Sequence, residues 1–272
     1  PLKFFFNKNL SQALPLCALS KHEVKIQVSL ETEDNLRGTL DTGDLSIESM
    51  ELFGEFIRLD TEEKTKFINT TLSYLIENVQ VQSSTLPETV EQNPTFNAGY
   101  DNITDKVETA LKTFELDTLK HPVKYIAWVV VNPGTNGSNG GQGPCYFMSL
   151  CSNSEYGSDG IHGSVRIDLD GSEKEPTLPM SIYTRKNPMK YCKYVPELDR
   201  IGMYSFAEAP FETQPSGTCN FSKLREVDFH MKFANDAING GETILKGKTI
   251  HFFAVNYNVL RIANGMVGLE FS

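Results

Sequence analysis

The chain has 272 residues, of which 39% are hydrophobic and 22% are charged. This composition supplies enough apolar side chains for a buried core and is too apolar for a disordered protein. The formal net charge of −10 at pH 7 makes the surface acidic, and an acidic surface repels phosphate, so we expect no direct contact with nucleic acid. No apolar run approaches the ~18 residues that a transmembrane helix needs, so we also expect no membrane insertion.

The cysteine count indicates a reducing compartment. The chain has five cysteines, an odd number, and no CxxC pair, which favours reduced thiols in a cytosolic setting over a disulfide framework. They are Cys17, Cys145, Cys151, Cys192 and Cys219. The N-x-S/T sequons would matter only in a secretory compartment, which this cysteine usage disfavours. The sequon residues are Asn9, Asn69, Asn102, Asn136 and Asn220.

The first part of the chain has the pattern of β-strands. It opens on the apolar stretch PLKFFFNKNL without an initiator Met, which we interpret as the start of a cleaved product or of a fragment of a longer chain. HEVKIQVSL, residues 22–30, alternates apolar and polar residues with a period of two and predicts a half-buried strand. LFGEFIRL, residues 52–59, is a second strand-like stretch, interrupted by a glycine.

One helix is strongly indicated after these strands. Asp60 is placed to cap it, and Glu63 follows three residues later, which is the capping-box spacing. TLSYLIENVQVQ, residues 71–82, then returns to a β-rich composition. Residues 101–119 have apolar side chains at helical spacing and predict a second helix, with a β-strand at TALKTFEL, residues 109–116, as the alternative.

The remaining elements are predicted strands. YIAWVVV, residues 125–131, is a continuous β-branched and aromatic run, typical of a strand covered on both faces, and it holds the sole tryptophan, Trp128, which we expect in the core. GSVRIDLD (163–170) and EVDFHMKF (226–233) alternate with a period of two, and TIHFFAVNYNVLRI (249–262) is a long strand-like stretch.

Long loops separate these strands. Residues 132–144 are rich in glycine without periodicity, and residues 170–200 are interrupted by prolines. A basic group lies in the second loop, and we interpret it as a solvated part of that loop: Arg185, Lys186, Lys190 and Lys193. Strands joined by long loops favour an all-β antiparallel sandwich over a βαβ fold.

Motifs for phosphate or calcium binding fail on their spacing. In the glycine-rich loop Gly143 is followed by Pro144, where a P-loop needs Lys and then Ser or Thr. Counted from Asp168, the glycine comes at position four, at Gly171, whereas an EF-hand needs it at position six. The simpler interpretation of this stretch is a strand that ends in an Asp-Gly turn.

The inventory of catalytic residues is sparse. None of the five histidines has the spacing of a zinc signature. They are His22, His121, His162, His230 and His251. We interpret His22 beside Glu23 and His230 beside Asp228 as strand residues that neighbours satisfy. A Cys–His nucleophile pair stays open, but no local signature supports one. We therefore expect no catalytic, cofactor-binding or metal-binding residue and no cofactor.

Five stretches in the same order resemble one protein family. They are FFFNKNLSQALPLCALSKHEVKI (4–26), FIRLDTEEKTKF (56–67), YLIENVQ (74–80), QPSGTCNFSKL (214–224) and FAVNYNVLRIANGMVGLEFS (253–272). Together they resemble the double jelly-roll major capsid proteins of nucleocytoplasmic large DNA viruses. Residues 83–211 match this family only in character.

The resemblance implies a fold and an assembly. Its fold is two eight-stranded jelly-roll sandwiches in one chain, and its assembly is a homotrimer that forms a pseudo-hexagonal capsomer of an icosahedral shell. It implies a virion location after assembly in the host cytoplasm. It also implies contacts with neighbouring capsomers and with minor capsid or penton proteins, and no enzymatic activity.

The resemblance also divides the chain. Residues 1–65 correspond to the final strands of the first jelly roll and a linker helix, and residues 66–272 correspond to a complete second jelly roll with short helices in its loops. We expect the rest of the first roll to be supplied by the N-terminal part of the same polypeptide. It would cover the apolar side chains of residues 22–30, whose exposure to water would cost several kcal/mol at ~25 cal/mol per Å2.

The same resemblance suggests roles for three loops. By analogy, residues 132–144 and Tyr183–Tyr194, which includes Tyr191 and Cys192, are predicted to contact other subunits. In PSGTCNFS, residues 215–222, Ser216 and Thr218 are expected to hold backbone groups of a shaped loop. The alternative functions for a β-sandwich are a carbohydrate-binding module and a glycosidase, which would need two facing carboxylates in a cleft.

Overall fold

A computed structural model defines the fold and divides the chain into two compact units. Unit 1 comprises Pro1–Asn78 and Tyr257–Ser272, and unit 2 comprises Val79–Asn256. The residues that the structure describes are 2, 4–7, 9–30, 47–86, 108–132, 146–147, 163–192, 194, 199–235 and 248–271.

The regular elements are mostly strands. The strands are β1 (Leu72–Thr85), β2 (Glu108–Glu115), β3 (Pro122–Asn132), β4 (Tyr146–Phe147), β5 (Gly163–Leu169), β6 (Ser172–Pro179), β7 (Gly202–Ser205), β8 (Cys219–Asn220), β9 (Val227–Asn235), β10 (Thr249–Ala263) and β11 (Met266–Leu269). The helices are α1 (Thr61–Asn69) and α2 (Asn187–Cys192), which a π turn (Ile182–Lys186) precedes. Single 3-10 turns lie at Phe5–Asn7, Leu10–Gln12, Leu16–Ala18 and Phe221–Lys223.

The strands form two sheets. The larger one has the order β1-β10-β3-β4, with β11 paired to β10 and both β7 and β8 paired to β3. The smaller one has the order β2-β9-β5-β6. The pairings of β3, β5 and β9 with their neighbours are antiparallel. The predicted all-β antiparallel sandwich is therefore confirmed.

Trp128 lies at the centre of the core of unit 2. It is 0% exposed, as the sequence predicts, and its ring centroid lies 5.6 Å from Tyr183, 5.6 Å from Phe229 and 6.4 Å from Phe252. These rings come from β3, the π turn, β9 and β10, so the aromatic contact joins both sheets. The alternation of β5 and β9 also holds, because Val165, Ile167, Phe229 and Met231 are buried.

Gly202 allows this packing. It pairs with Trp128 in register, and a Cβ added to it would lie 2.1 Å from Trp128 Cε2. The glycine therefore leaves the space that the indole ring fills.

A methyl group at this position tests the packing. Because the indole ring cannot move without disturbing its aromatic neighbours, we expect Gly202→Ala to lower the free energy of unfolding by about 1–3 kcal/mol, the usual cost of overpacking. Urea unfolding followed by tryptophan fluorescence measures this change. Gly268→Ala is the control, since a Cβ there meets nothing within 4 Å, and it should change stability by less than about 0.5 kcal/mol. Equal stability of the two variants would contradict this account of the core.

In unit 1 the N-terminal segment packs on the last hairpin. Ala18 and Leu19 form a small buried cluster with Ile262 of β10. The Lys21 N–H donates to the Gly265 carbonyl at 2.9 Å, and the Val267 N–H donates to His22 Nδ1 at 3.1 Å. His22 is therefore satisfied by a neighbour, as expected, although the partner comes from the other end of the chain.

Asn258 fixes the C-terminal segment of unit 1. Its side chain donates to the Phe271 carbonyl at 2.8 Å and accepts from the Phe271 N–H at 3.1 Å. The hairpin before it turns at Asn264 and Gly265, which have φ angles of 53° and 80°.

Two further local predictions are confirmed. Asp60 Oδ1 accepts from the Glu63 N–H at 2.8 Å, and Glu63 Oε2 accepts from the Asp60 N–H at 3.4 Å, so α1 begins with the expected capping box. Asp170 and Gly171 have φ angles of 51° and 72°, which is the predicted Asp-Gly turn between β5 and β6.

Two predictions are wrong. Residues 101–119 were expected to hold a helix, but β2 occupies Glu108–Glu115 and pairs residue by residue with β9, so the alternative strand is the correct one. Residues 22–30 and 52–59 were expected to be strands of the first jelly roll, yet they form neither helix nor strand. A strand needs a hydrogen-bonded neighbour, and no described residue pairs with either stretch.

Candidate functional site

The outer face of the smaller sheet carries a row of four carboxylates. Glu115 of β2 is opposite Asp228 of β9, Asp228 is opposite Asp168 of β5, and Asp168 is opposite Glu173 of β6. Side chains alternate along a strand, and the residues that flank Glu115, Asp228 and Asp168 belong to the core, so these three acids share the outer face. Glu173, directly opposite Asp168, lies on the same face. Like charges directly opposite each other destabilise a sheet.

Two side chains in the next row, Arg166 and His230, contact one of these carboxylates. Arg166 Nη2 donates to Asp168 Oδ2 at 2.6 Å, and His230 Nε2 lies 3.1 Å from the same oxygen. His230 Nδ1 is 2.8 Å from Thr113 Oγ1. Asp168, with a side chain only 11% exposed, is therefore held by groups from two strands. The sequence associated His230 with its chain neighbour Asp228, but the carboxylate that it contacts is Asp168.

Asp228 receives less compensation than Asp168. Burial raises the pKa of its carboxyl group, the charges of Glu226, Glu115 and Asp117 raise it further, and His230 lowers it. Its Oδ1 is buried without a hydrogen-bond partner in the described part of the chain. The ionised form of Asp228 is therefore a local cost of the folded state.

We expect Asp228→Asn to stabilise the protein at pH 7. A pKa raised above the ordinary 3.8 means that the folded state binds the proton more tightly than the unfolded state, so the penalty is full at neutral pH. It fades as the pH falls through the raised pKa and disappears below 3.8. The gain at pH 7 should be about 0.2–1 kcal/mol, the range for cross-strand charge pairs.

Urea unfolding at pH 7 and at pH 4 measures this difference. The variant should be more stable than the parent chain at pH 7, and the gain should be smaller at pH 4. Glu212→Gln, at an exposed position outside the row, is the control and should change little at either pH. A loss of stability at pH 7 in Asp228→Asn would contradict the assigned cost.

The cluster links three strands. Thr113 of β2 and Asp168 of β5 lie on the two ring nitrogens of His230 of β9, and Asp168 also accepts from Arg166. Within the described ranges, no group of His, Cys, Asp and Glu is arranged to hold a metal ion. The cluster therefore acts as a cross-strand network.

The segment that was expected to face other subunits is partly core. Tyr183 is 1% exposed and packs on Trp128, so the side chain of Tyr183 is not available for the predicted contact with another subunit. Arg185 fixes the segment by donating to both carboxylate oxygens of Asp199, Nε to Oδ1 at 2.8 Å and Nη2 to Oδ2 at 2.6 Å. Further along, Tyr194 is 65% exposed, and the contact role of the segment stays a prediction.

The PSGTCNFS loop has the expected shaping contacts at one of its two positions. Ser216 Oγ accepts from the Ala209 N–H at 2.8 Å, which confirms that Ser216 holds backbone. Thr218 is exposed. Gly217 has a φ of 142°, and a Cβ there would lie 3.0 Å from the Phe206 carbonyl oxygen, so this position requires glycine.

The predictions on the cysteines, the glycine-rich loop and the absence of a transmembrane helix can be compared with the structure only in part. Cys17, Cys192 and Cys219 have free thiols. Cys145, Cys151 and nearly all of the loop 132–144 lie outside the described residues. Among the helices that are described, none combines the length and the apolarity that crossing a bilayer requires.

Two protein-family models match this chain, one in each part. The model described as "Large eukaryotic DNA virus major capsid protein" matches residues 63–268, and the model described as "Major capsid protein N-terminus" matches residues 1–60.

Curated relatives are similar along the whole chain. The major capsid protein of Paramecium bursaria Chlorella virus 1 is 30% identical over 304 residues, which cover 100% of this chain and 66% of that protein. The major capsid protein of Pyramimonas orientalis virus is 29% identical over 294 residues, which cover 100% of this chain and 60% of that protein. The chain thus spans less than two thirds of the length of these relatives.

Solved structures of viral capsid proteins are also similar to this chain along its whole length. The quasi-atomic model of the PBCV-1 virus capsid matches with a TM-score of 0.68 and 25% identity, and the match covers 100% of this chain and 70% of that one. The crystal structure of PBCV-1 VP54, fitted into a cryo-EM reconstruction of the virophage Sputnik, matches with a TM-score of 0.68 and 26% identity.

Proposed function

Because this chain belongs to the family of large eukaryotic DNA virus major capsid proteins, we propose that it is a structural building block of a viral capsid. The observation that carries the proposal is the structural match along the whole chain, at a TM-score of 0.68, to the PBCV-1 capsid. The antiparallel sandwich with short helices in its loops is the jelly-roll architecture that the resemblance implied.

The proposed assembly is a homotrimer that forms a pseudo-hexagonal capsomer of an icosahedral shell. Its partners are neighbouring capsomers and minor capsid or penton proteins in the virion, and assembly takes place in the host cytoplasm. The role is structural, without a catalytic, cofactor-binding or metal-binding residue. The net charge of −10 supports the proposal that the chain does not bind nucleic acid directly.

We assign residues 1–65 to the final part of a first jelly roll with a linker helix, and residues 66–272 to the second roll. The division is supported by the two family models, one of which ends at residue 60 and the other of which begins at residue 63. In the first part, apolar side chains that should lie under a sheet are in water: Val24 is 45% exposed, Val28 54% and Phe53 86%.

A first-roll sheet would cover these side chains. We assign that sheet to the N-terminal part of the same polypeptide, since burying several such residues contributes several kcal/mol at ~25 cal/mol per Å2. Intact-mass analysis of denatured material from assembled particles tests this. The polypeptide should be heavier than the 30.4 kDa of Pro1–Ser272, and a single species of 30.4 kDa would contradict the assignment.

The oligomeric state tests the capsid role. Size-exclusion chromatography with light scattering should give three times the subunit mass, and electron microscopy of the same fraction should show pseudo-hexagonal particles. A monomer whose melting temperature rises with a sugar would instead favour the alternative of a carbohydrate-binding module. Turnover of a glycoside would favour a glycosidase, and either result would contradict the proposal.

A further inference from the structure

In unit 1, residues 10–22, which we call the N-terminal strap, lie along one edge of β11. Among the described strands β11 is paired with β10 and with no other, so the backbone groups on its second edge need partners from elsewhere. Val267 is opposite Ile262, one position beyond the pair that closes the two-residue turn. Hydrogen-bonded and non-hydrogen-bonded pairs alternate in an antiparallel ladder, so the Val267 N–H points away from β10.

The end of the strap supplies partners for this edge. The Lys21 N–H donates to the Gly265 carbonyl at 2.9 Å, and the Val267 N–H donates to His22 Nδ1 at 3.1 Å. Gly265 leaves room for this approach, because a Cβ added to it would collide with Ser20 Oγ. The imidazole ring therefore accepts the hydrogen bond that a neighbouring strand would otherwise accept.

The other contacts of the strap do not depend on a histidine. Ala18 and Leu19 are buried against Ile262 in the small cluster of unit 1. Gln12 Nε2 donates to the Leu75 carbonyl at 3.1 Å. Apolar packing and amide hydrogen bonds involve no group that gains or loses a proton near neutral pH. They hold the strap in place whether or not the ring bond is present.

The contact with Val267 fixes the protonation state of the His22 ring. A backbone N–H can only donate, so Nδ1 must accept and carries no proton. In the imidazolium form both ring nitrogens carry protons, and the Val267 N–H would then face another N–H. His22 is exposed, so water has access to the ring. The closed edge and the protonated ring are therefore incompatible.

His230 and His251 lack this restriction. Nδ1 of His230 contacts the Thr113 hydroxyl at 2.8 Å, and Nδ1 of His251 contacts the Ser83 hydroxyl at 2.7 Å. A hydroxyl group can either donate or accept, so both contacts persist when the ring gains a proton.

Few other ionisable groups lie near this ring. The hairpin residues Ile262–Leu269 contain none. Thiol and phenol groups ordinarily titrate above the range of histidine, and burial raises the pKa of Tyr74 further. Glu23 Oε2 and Lys25 Nζ are paired with each other at 2.9 Å. The ionisable groups that flank His22 in the chain or belong to the cluster under the strap are Cys17, Lys21, Glu23, Lys25 and Tyr74.

We propose that His22 is a pH-sensitive latch of the N-terminal strap. The neutral ring closes the edge of β11 by accepting from Val267, and the protonated ring loses this bond, so the strap detaches from the hairpin more often. Histidine ordinarily changes its charge between about pH 5 and 8, so the latch loosens on mild acidification. The inference goes beyond the proposed function and does not depend on it, because all of its contacts lie within unit 1.

His22→Asn in the full polypeptide tests the latch. Asn Oδ1 occupies the place of His Nδ1 on the side chain and accepts the same N–H, but it does not titrate. The matched control is His251→Asn, which makes the same change at a ring whose partner is a hydroxyl. Hydrogen exchange with mass spectrometry, corrected for the intrinsic exchange rate at each pH, measures the protection of the Val267 amide. Circular dichroism melting verifies that each variant is folded.

In the parent chain and in His251→Asn, we expect the protection of the Val267 amide to fall about three- to tenfold between pH 8 and pH 5, the equivalent of one neutral hydrogen bond. In His22→Asn it should be the same at both pH values. If His22→Asn does not fold, His22→Ala should show the low protection at both pH values. Equal protection in the parent chain at both pH values would overturn the inference, and so would an unchanged pH dependence in His22→Asn. Either result leaves the proposed function standing.

Discussion

The rest of this structure depends on one constraint, that the apolar faces of β-sheets must be covered. In unit 2 the inner face of the larger sheet is covered by the smaller sheet, and the aromatic contact of Trp128 with Phe229 and Phe252 joins the two. The outer face of the larger sheet is apolar as well, with Val79 and Val81 more than half exposed. A sheet with two apolar faces is suited to a protein that works inside an assembly.

The two outer faces of unit 2 differ in charge, and the difference suits them to different surroundings. The smaller sheet carries a row of carboxylates, of which Asp168 is compensated by Arg166 and His230 while Asp228 is held at a cost. The outer face of the larger sheet instead carries exposed apolar side chains, among them Val79 and Val81.

The elements that the sequence predicts correctly are those whose local pattern is strong by itself. β3 and β10 are long enough and apolar enough to be predicted directly, and the capping box of α1 is a local motif. β2 was predicted to be helical because its apolar residues have helical spacing, which is a weak signal. Its structure is decided instead by its pairing with β9, which lies more than 100 residues away in the chain. The contact of His230 with Asp168 could not be predicted either, because it depends on the register between β9 and β5. Residues 22–30 show the converse, a strand-like pattern that forms no strand, because no residue in the described part of the chain pairs with it.

A density map of the purified particle at a resolution that shows side chains tests the central claim most directly. The exposed apolar side chains on the sheets of this chain, such as Val79 and Val81, should all be covered by protein. The carboxylate row should have no acidic surface against it. A map in which Val79, Val81 and Phe211 face open solvent, in a particle that is otherwise complete, would contradict the account.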